Sequence, residues 1–130
     1  MVIFNGVTKI NSGLQFLIDG GGSAITATAL AGVLTVPFDC TLTDVSMLAD
    51  QTGSIAVDIW KTAYANFDSM SVANSIVSAT PPTIVSGVKV DDNALNGWTK
   101  TFKAGDILGF YVNSCVTITR LSIMLNATRS

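Results

Sequence analysis

Apolar side chains in this chain recur at every second position and hardly anywhere at the three-to-four spacing of a helix. The clearest stretch is Ile55 to Lys61, where Ile55, Val57 and Ile59 fall on one side and Ala56, Asp58 and Trp60 on the other. That alternation is what a sheet with one buried side requires. No window of about 11 residues supports an amphipathic helix, so helical and α/β architectures are excluded.

The same period runs through the rest of the chain. Leu14 to Ile18 is a short apolar run that stops at Asp19-Gly20-Gly21-Gly22-Ser23, a turn signal. Ile25 to Leu30 and Val33 to Val36 follow, the second stopped by Pro37. Thr41 to Ala49 alternates with Thr43, Val45, Met47 and Ala49 on one face, and Asp50 to Ser54 reads as the next turn. Thr62 to Pro82 is a long connection with room for one helical turn at Ser71 to Ser75. Strand character resumes over Thr83 to Val90 with a turn at Ser86-Gly87, and Asp91-Asp92-Asn93 reads as a polar loop. After a turn at Lys103 to Asp106, Ile107 to Asn113 alternates. Val116 to Thr128 changes phase, which predicts a β-bulge near Arg120. The expectation is an all-β, antiparallel β-sandwich of about eight strands, jelly-roll-like, with turns every 8–12 residues or so.

Composition restricts function more than fold. The 130 residues contain no histidine, and all nine acidic residues are aspartate. Without histidine there is no Ser-His-Asp or Cys-His arrangement and no ordinary zinc site. A hydrolase would have to use paired aspartates drawn from Asp58, Asp91, Asp92 and Asp106. Aspartates at turns and strand ends are ordinary in β proteins, so the chain is expected not to be an enzyme and to use no cofactor. Gly20-Gly21-Gly22 lacks the Gly-Lys-Ser or Gly-Lys-Thr of a phosphate loop and reads as a hairpin turn. Asp91-Asp92-Asn93 offers hard oxygen ligands, but its spacing is not that of a helical calcium loop.

Charged residues are only 12% of the chain and apolar ones 48%, an imbalance that excludes disorder and leaves a monomer short of charge to cover its surface. Such a surface suits packing against copies of itself or within a larger assembly. Lys9, Lys61, Lys89, Lys100, Lys103, Arg120 and Arg129 are scattered and form no stripe that tracks a phosphate backbone, so no nucleic-acid partner is expected. The most apolar stretch, Ile25 to Val36, is too short to span a bilayer, and the first residues lack the basic start and long apolar core of a secretory signal. Cys40 and Cys115 pair only if the fold brings them together; the plainer reading is two small buried hydrophobes.

The remaining features bear on partners. Trp60, Tyr64, Phe67 and Trp98 are the aromatics that a sugar-binding platform would use. Trp60 lies opposite Ile55, Val57 and Ile59, so it faces outward and needs covering by a loop, a subunit or a ligand, in that order of expectation. Val2-Ile3-Phe4 ahead of the first strand reads equally as an edge strand or as an arm packing on a neighbouring subunit. Residues 1–13 are accordingly set apart from a domain over 14–130. Asn126-Ala127-Thr128 matches the glycosylation pattern, and with no export expected it reads as a chance match.

A series of short segments has the look of something familiar. Asp19-Gly20-Gly21-Gly22, Val36-Pro37-Phe38-Asp39-Cys40-Thr41, Leu48 to Ile55, Val57-Asp58-Ile59-Trp60-Lys61 and Tyr64-Ala65 occur in that order. Leu95-Asn96-Gly97-Trp98, Gly105 to Phe110 and Thr119-Arg120-Leu121 complete it. Together they resemble a jelly-roll domain of tailed-bacteriophage virion proteins, found in head-decoration and tail-fibre polypeptides. The likeness runs from about residue 14 to residue 128. It departs after Tyr64-Ala65, where relatives tend to carry prolines and this chain reads Asn66-Phe67-Asp68-Ser69-Met70. The resemblance implies a virion structural protein, assembled in the host bacterial cytoplasm, with itself as a partner in a homotrimer and the major capsid protein or other virion proteins as neighbours. A module standing alone is expected to supply its own attachment, which favours capsid decoration over a fibre tip. The alternative is a tail-fibre or receptor-binding module that recognises a host surface polysaccharide.

Overall fold

The run from Cys40 to Thr62 is one strand of 23 residues, not two strands separated by a turn. In the computed structural model, which describes residues 10–129, this strand organises everything else. In chain order the strands are β1 (Ile10–Asp19), β2 (Ala29–Thr35), β3 (Cys40–Thr62), β4 (Thr83–Asp92), β5 (Thr101–Phe102), β6 (Ile107–Val116) and β7 (Arg120–Arg129). The first half of β3 pairs antiparallel with β7, from Cys40↔Arg129 to Ala49↔Leu121. Its second half pairs with β6, from Ser54↔Val116 to Thr62↔Ile107. On the far side of these partners, β1 runs along β7 and β2 along β6. β4 and β5 line the other side of β3.

The sheet therefore has two halves joined through β3, and it curls so that they enclose a shared core. The inward set is the alternating one: Leu14 and Ile18 from β1, Val45 and Met47 from β3, Ile123 and Leu125 from β7. From the other half come Ile55, Val57 and Ile59 of β3 with Leu108, Phe110 and Val112 of β6. Phe16 of β1 stacks on Phe110 of β6 at 4.5 Å between ring centroids, which ties one half to the other. Gly32 of β2 lies against that ring, where a Cβ would come within 2.5 Å of Phe16. Full burial of a side chain such as Phe102 or Phe110 contributes roughly 1.5–3 kcal/mol. The result is the all-β, antiparallel, jelly-roll-like sandwich expected, with seven strands among the described residues.

The two corrections to the strand count share a cause. Ile25–Leu30 and Val33–Val36 merge into one strand, β2, that begins only at Ala29 and absorbs the irregularity between Leu30 and Gly32. Asp50–Ser54 carries turn residues, yet the chain bends there without reversing. Opposite this bend the outer partner is interrupted at residues 117–119, so β6 and β7 meet end to end, where the sequence suggested one bulged strand. Asp50 fills the gap: its carboxylate accepts from the backbone N–H groups of Thr119 (3.2 Å) and Arg120 (3.0 Å) and from the Thr119 hydroxyl. Gln51 donates to the Thr117 carbonyl, and the Thr117 hydroxyl to that of Thr52 at 2.8 Å. Gly53 is required at this corner because a Cβ would collide with the Val116 carbonyl and the Thr117 hydroxyl.

The long connection carries the helical turn expected near Ser71–Ser75, at Val72–Asn74, and a second 3₁₀ turn at Tyr64–Ser69 that the sequence did not suggest. β4 continues through the supposed turn at Ser86-Gly87, with Ser86 at φ 47° donating its N–H to Ser54 Oγ. It also continues through Asp91 and Asp92, so these are strand residues and not a loop. The residue 13/14 division falls inside β1, which is already paired at Ile10↔Arg129. Among the described residues no helix is long and apolar enough to cross a membrane.

Candidate functional site

Trp60 does face outward from the core, and its own chain covers it. The indole stacks on Tyr111 of β6 at 4.8 Å and donates Nε1–H to Asp58 Oδ2 at 3.0 Å. Asp58 also accepts from the Ser75 hydroxyl at 2.6 Å, which draws the long connection across the outer face of β3. Ile76 donates its N–H to the Ile59 carbonyl at 2.8 Å, fastening the same segment to the strand edge. Trp60 is left 8% exposed and Asp58 6%. Of the three coverings considered, the loop is the one present. Trp98 is likewise buried, with Nε1 donating to the Thr80 carbonyl. Tyr64 and Phe67 sit on the first 3₁₀ turn, Tyr64 with 82% of its surface open. Val2, Ile3 and Phe4 lie outside the described residues.

Of the aspartates singled out for chemistry, Asp92 and Asp106 hold backbone. Asp92 Oδ1 accepts from the N–H groups of Ala94 and Leu95, and Asp106 Oδ2 from that of Lys103. Asp58 is committed to Trp60 and Ser75. Among the described residues no three cysteine and aspartate side chains gather as a metal site. Cys40 is buried and Cys115 half-buried, both as free thiols. Burial pushes both thiols up, and for Cys40 the negative charges of Asp39 and Asp106 add to it.

What the surface offers most plainly is apolar edge. β1 and β2 each have a pairing partner on one side only among the described strands. β2 has no charged side chain, and β1 has only Asp19 at its end. Natural edges are usually blunted by lysine, proline or inward charge. Leu17 of β1 is 62% exposed, and Leu30 and Val33 of β2 are exposed too. Leu17 and Leu30 line one depression of about 230 Å³ between the two edges, together with Ile18 and Ile25. The outer face of the β1–β7–β3 half adds Leu48, 59% exposed, which flanks Ser122 across from Leu17. In sequence Leu17 stands inside the apolar run Leu14 to Ile18, and nothing in that run marks it as open to solvent.

A second depression, of about 600 Å³, is polar. Leu42 pairs with Ala127 and Asp44 with Asn126, so Thr43 is an extra residue in β3. Thr43, expected on one face with Val45, Met47 and Ala49, is turned outward by this bulge while Val45 and Met47 are buried.

No family model matches the chain, and no curated protein does. Among solved structures it is similar to the serine protease of Aeromonas sobria, alone and with its chaperone ORF2, at 8% and 9% identity and TM-scores of 0.36 and 0.38. Those matches cover 93% and 95% of this chain, which spans little more than a quarter of the protease (27% and 28%). It is also similar to a chain of the cyanophage Pam1 capsid asymmetric unit at 14% identity, covering 98% of this chain and 89% of that one, with a TM-score of 0.38. Likenesses this distant carry no functional inference.

Proposed function

We propose that this chain is a structural protein of a tailed-bacteriophage virion, with no catalytic role, that decorates the capsid and stabilises it through subunit contacts. The observation that carries the reading is the apolar, nearly uncharged pair of edges at β1 and β2, with Leu17, Leu30 and Val33 open to solvent. Covering each of these side chains contributes about 1 kcal/mol at the usual coefficient for buried apolar area. Backbone groups of an unpaired edge add hydrogen bonds to a neighbour at no cost in new chemistry. Stabilisation of this kind acts by mass action: a protein that binds only the assembled shell shifts the equilibrium towards it. The segments that resemble phage head-decoration domains support the virion setting, a homotrimer and contact with the major capsid protein.

The test is location. Imaging of purified virions is expected to place density of this size on the head, and particles lacking the protein are expected to lose their genome at lower temperature. Density confined to the tail would overturn decoration and favour the receptor-binding alternative. Absence of the chain from purified virions would overturn both.

A further inference from the structure

The bulge at Thr43 builds a polar site on the outer face of the β1–β7–β3 half, remote in the pairing order from the loop that covers Trp60. β-Bulges re-aim side chains and are over-represented beside binding sites. Here two consecutive residues of β3, Thr43 and Asp44, point to the same face as Asn126 of β7. The Asn126 Nδ2 donates to Asp44 Oδ2 at 2.9 Å, and the Thr43 hydroxyl lies 3.0 Å from Asp44 Oδ1 and 3.2 Å from the Asn126 carbonyl. Across from Asn126, β1 contributes Gly13, over which the Met124 thioether lies, with Asn11 beside it on the same face.

We propose that this depression binds an uncharged saccharide. The lining supplies both kinds of hydrogen-bonding group that a sugar hydroxyl needs. Asp44 has four lone-pair directions and spends two on Thr43 and Asn126; the amide oxygen of Asn126 also accepts. Donors come from the second amide hydrogen of Asn126 and from Asn11. Among the described residues of the lining Asp44 is the one that carries a charge, which disfavours phosphate and acidic sugars. A single carboxylate whose two oxygens already accept is a poor start for a calcium site. The bonds among Thr43, Asp44 and Asn126 fix the groups before a ligand arrives, so little ordering is lost on binding. Among the described residues no aromatic face lines the site, so affinity comes from hydrogen bonds and Kd falls roughly in the millimolar range. The proposal does not rest on the capsid assignment, and either can fail without the other.

The experiment is a titration of the 15N-labelled protein with glucose, galactose, mannose, rhamnose and N-acetylglucosamine, followed by amide chemical shifts, with glucuronate and inorganic phosphate as charged probes. At least one neutral sugar is expected to give saturable shifts centred on Gly13, Thr43, Asp44 and Asn126, and the charged probes none. Thr43→Val, which keeps the shape, and Asn126→Ala are each expected to weaken binding about tenfold, the scale of one lost hydrogen bond. Unchanged dispersion of the Val45 and Ile123 methyl signals would verify the fold of both variants. No saturable shift with any neutral sugar, shifts centred on Tyr64 and Phe67 instead, or full affinity in folded Thr43→Val and Asn126→Ala would each overturn the proposal.

Discussion

Asp50 replaces missing strand pairing with a single carboxylate. The hydrogen bond from the Thr119 hydroxyl, and next the Arg120 N–H, hold its carboxyl below the usual aspartate range. A depressed folded-state pKa contributes stability that is present above the unfolded value of 3.8 and is lost as pH falls through the folded value. Asp50→Asn is therefore expected to lower Tm by a few degrees near neutrality, with the gap to the parent closing below pH 3.8. Thermal melts of both proteins across that range check it; a gap independent of pH would exclude the carboxylate. Trp60→Phe probes Asp58, a second acid held by hydrogen bonds. It keeps most of the stack on Tyr111 but removes a donor from buried Asp58, at a cost of roughly 1–3 kcal/mol by urea denaturation. At this scale the sequence was informative about direction and silent about cover. Alternation alone places Trp60 opposite Ile55, Val57 and Ile59, but only the fold brings Ser75 over it. Thr43 was misplaced because parity arguments assume an unbroken register, and a bulge resets it.

Among elements, β3 is the one that period-2 reading served best and worst. Ile55 to Lys61 was legible as a strand because its two faces differ in polarity. Its continuity with Thr41 to Ala49 was not, because Asp50-Gln51-Thr52-Gly53-Ser54 has the composition of a reversing turn. What those residues do instead depends on Thr117 and Thr119, far away in sequence. Gly53→Ala tests whether that corner is obligatory. The added methyl meets backbone oxygen with nowhere to move, so a loss of about 1–3 kcal/mol or more is expected from denaturant unfolding. A neutral outcome would mean that the bend can be made elsewhere along β3.

At the scale of the whole molecule, low charge becomes a property of particular edges. Composition alone suggested association; the fold puts Leu17, Leu30 and Val33 on the β1 and β2 edges and Leu48 on the neighbouring face, with Val72, Val85, Val88 and Val116 exposed elsewhere. The double variant Leu30→Lys, Val33→Lys puts two cations on the edge of β2 without touching the core. It is expected to raise the concentration at which self-association is seen by sedimentation velocity, with an unchanged far-ultraviolet circular dichroism spectrum. Equal association in both proteins would assign the contact to another surface.

The through-strand β3 also governs when the chain can fold. Its neighbours β6 and β7 come from Ile107 to Arg129, so almost every ladder that holds it joins residues far apart in sequence. Such high contact order places folding in the slow range for small domains, on the order of milliseconds to seconds. On the ribosome, Cys40 to Thr62 emerges first and must wait, unpaired along one whole side, until the segment ending at Arg129 has been made. During that interval the inward-facing residues of its two halves are open to neighbouring nascent chains. Synthesis rate and chaperone supply, as much as sequence, then set the yield of correctly closed molecules.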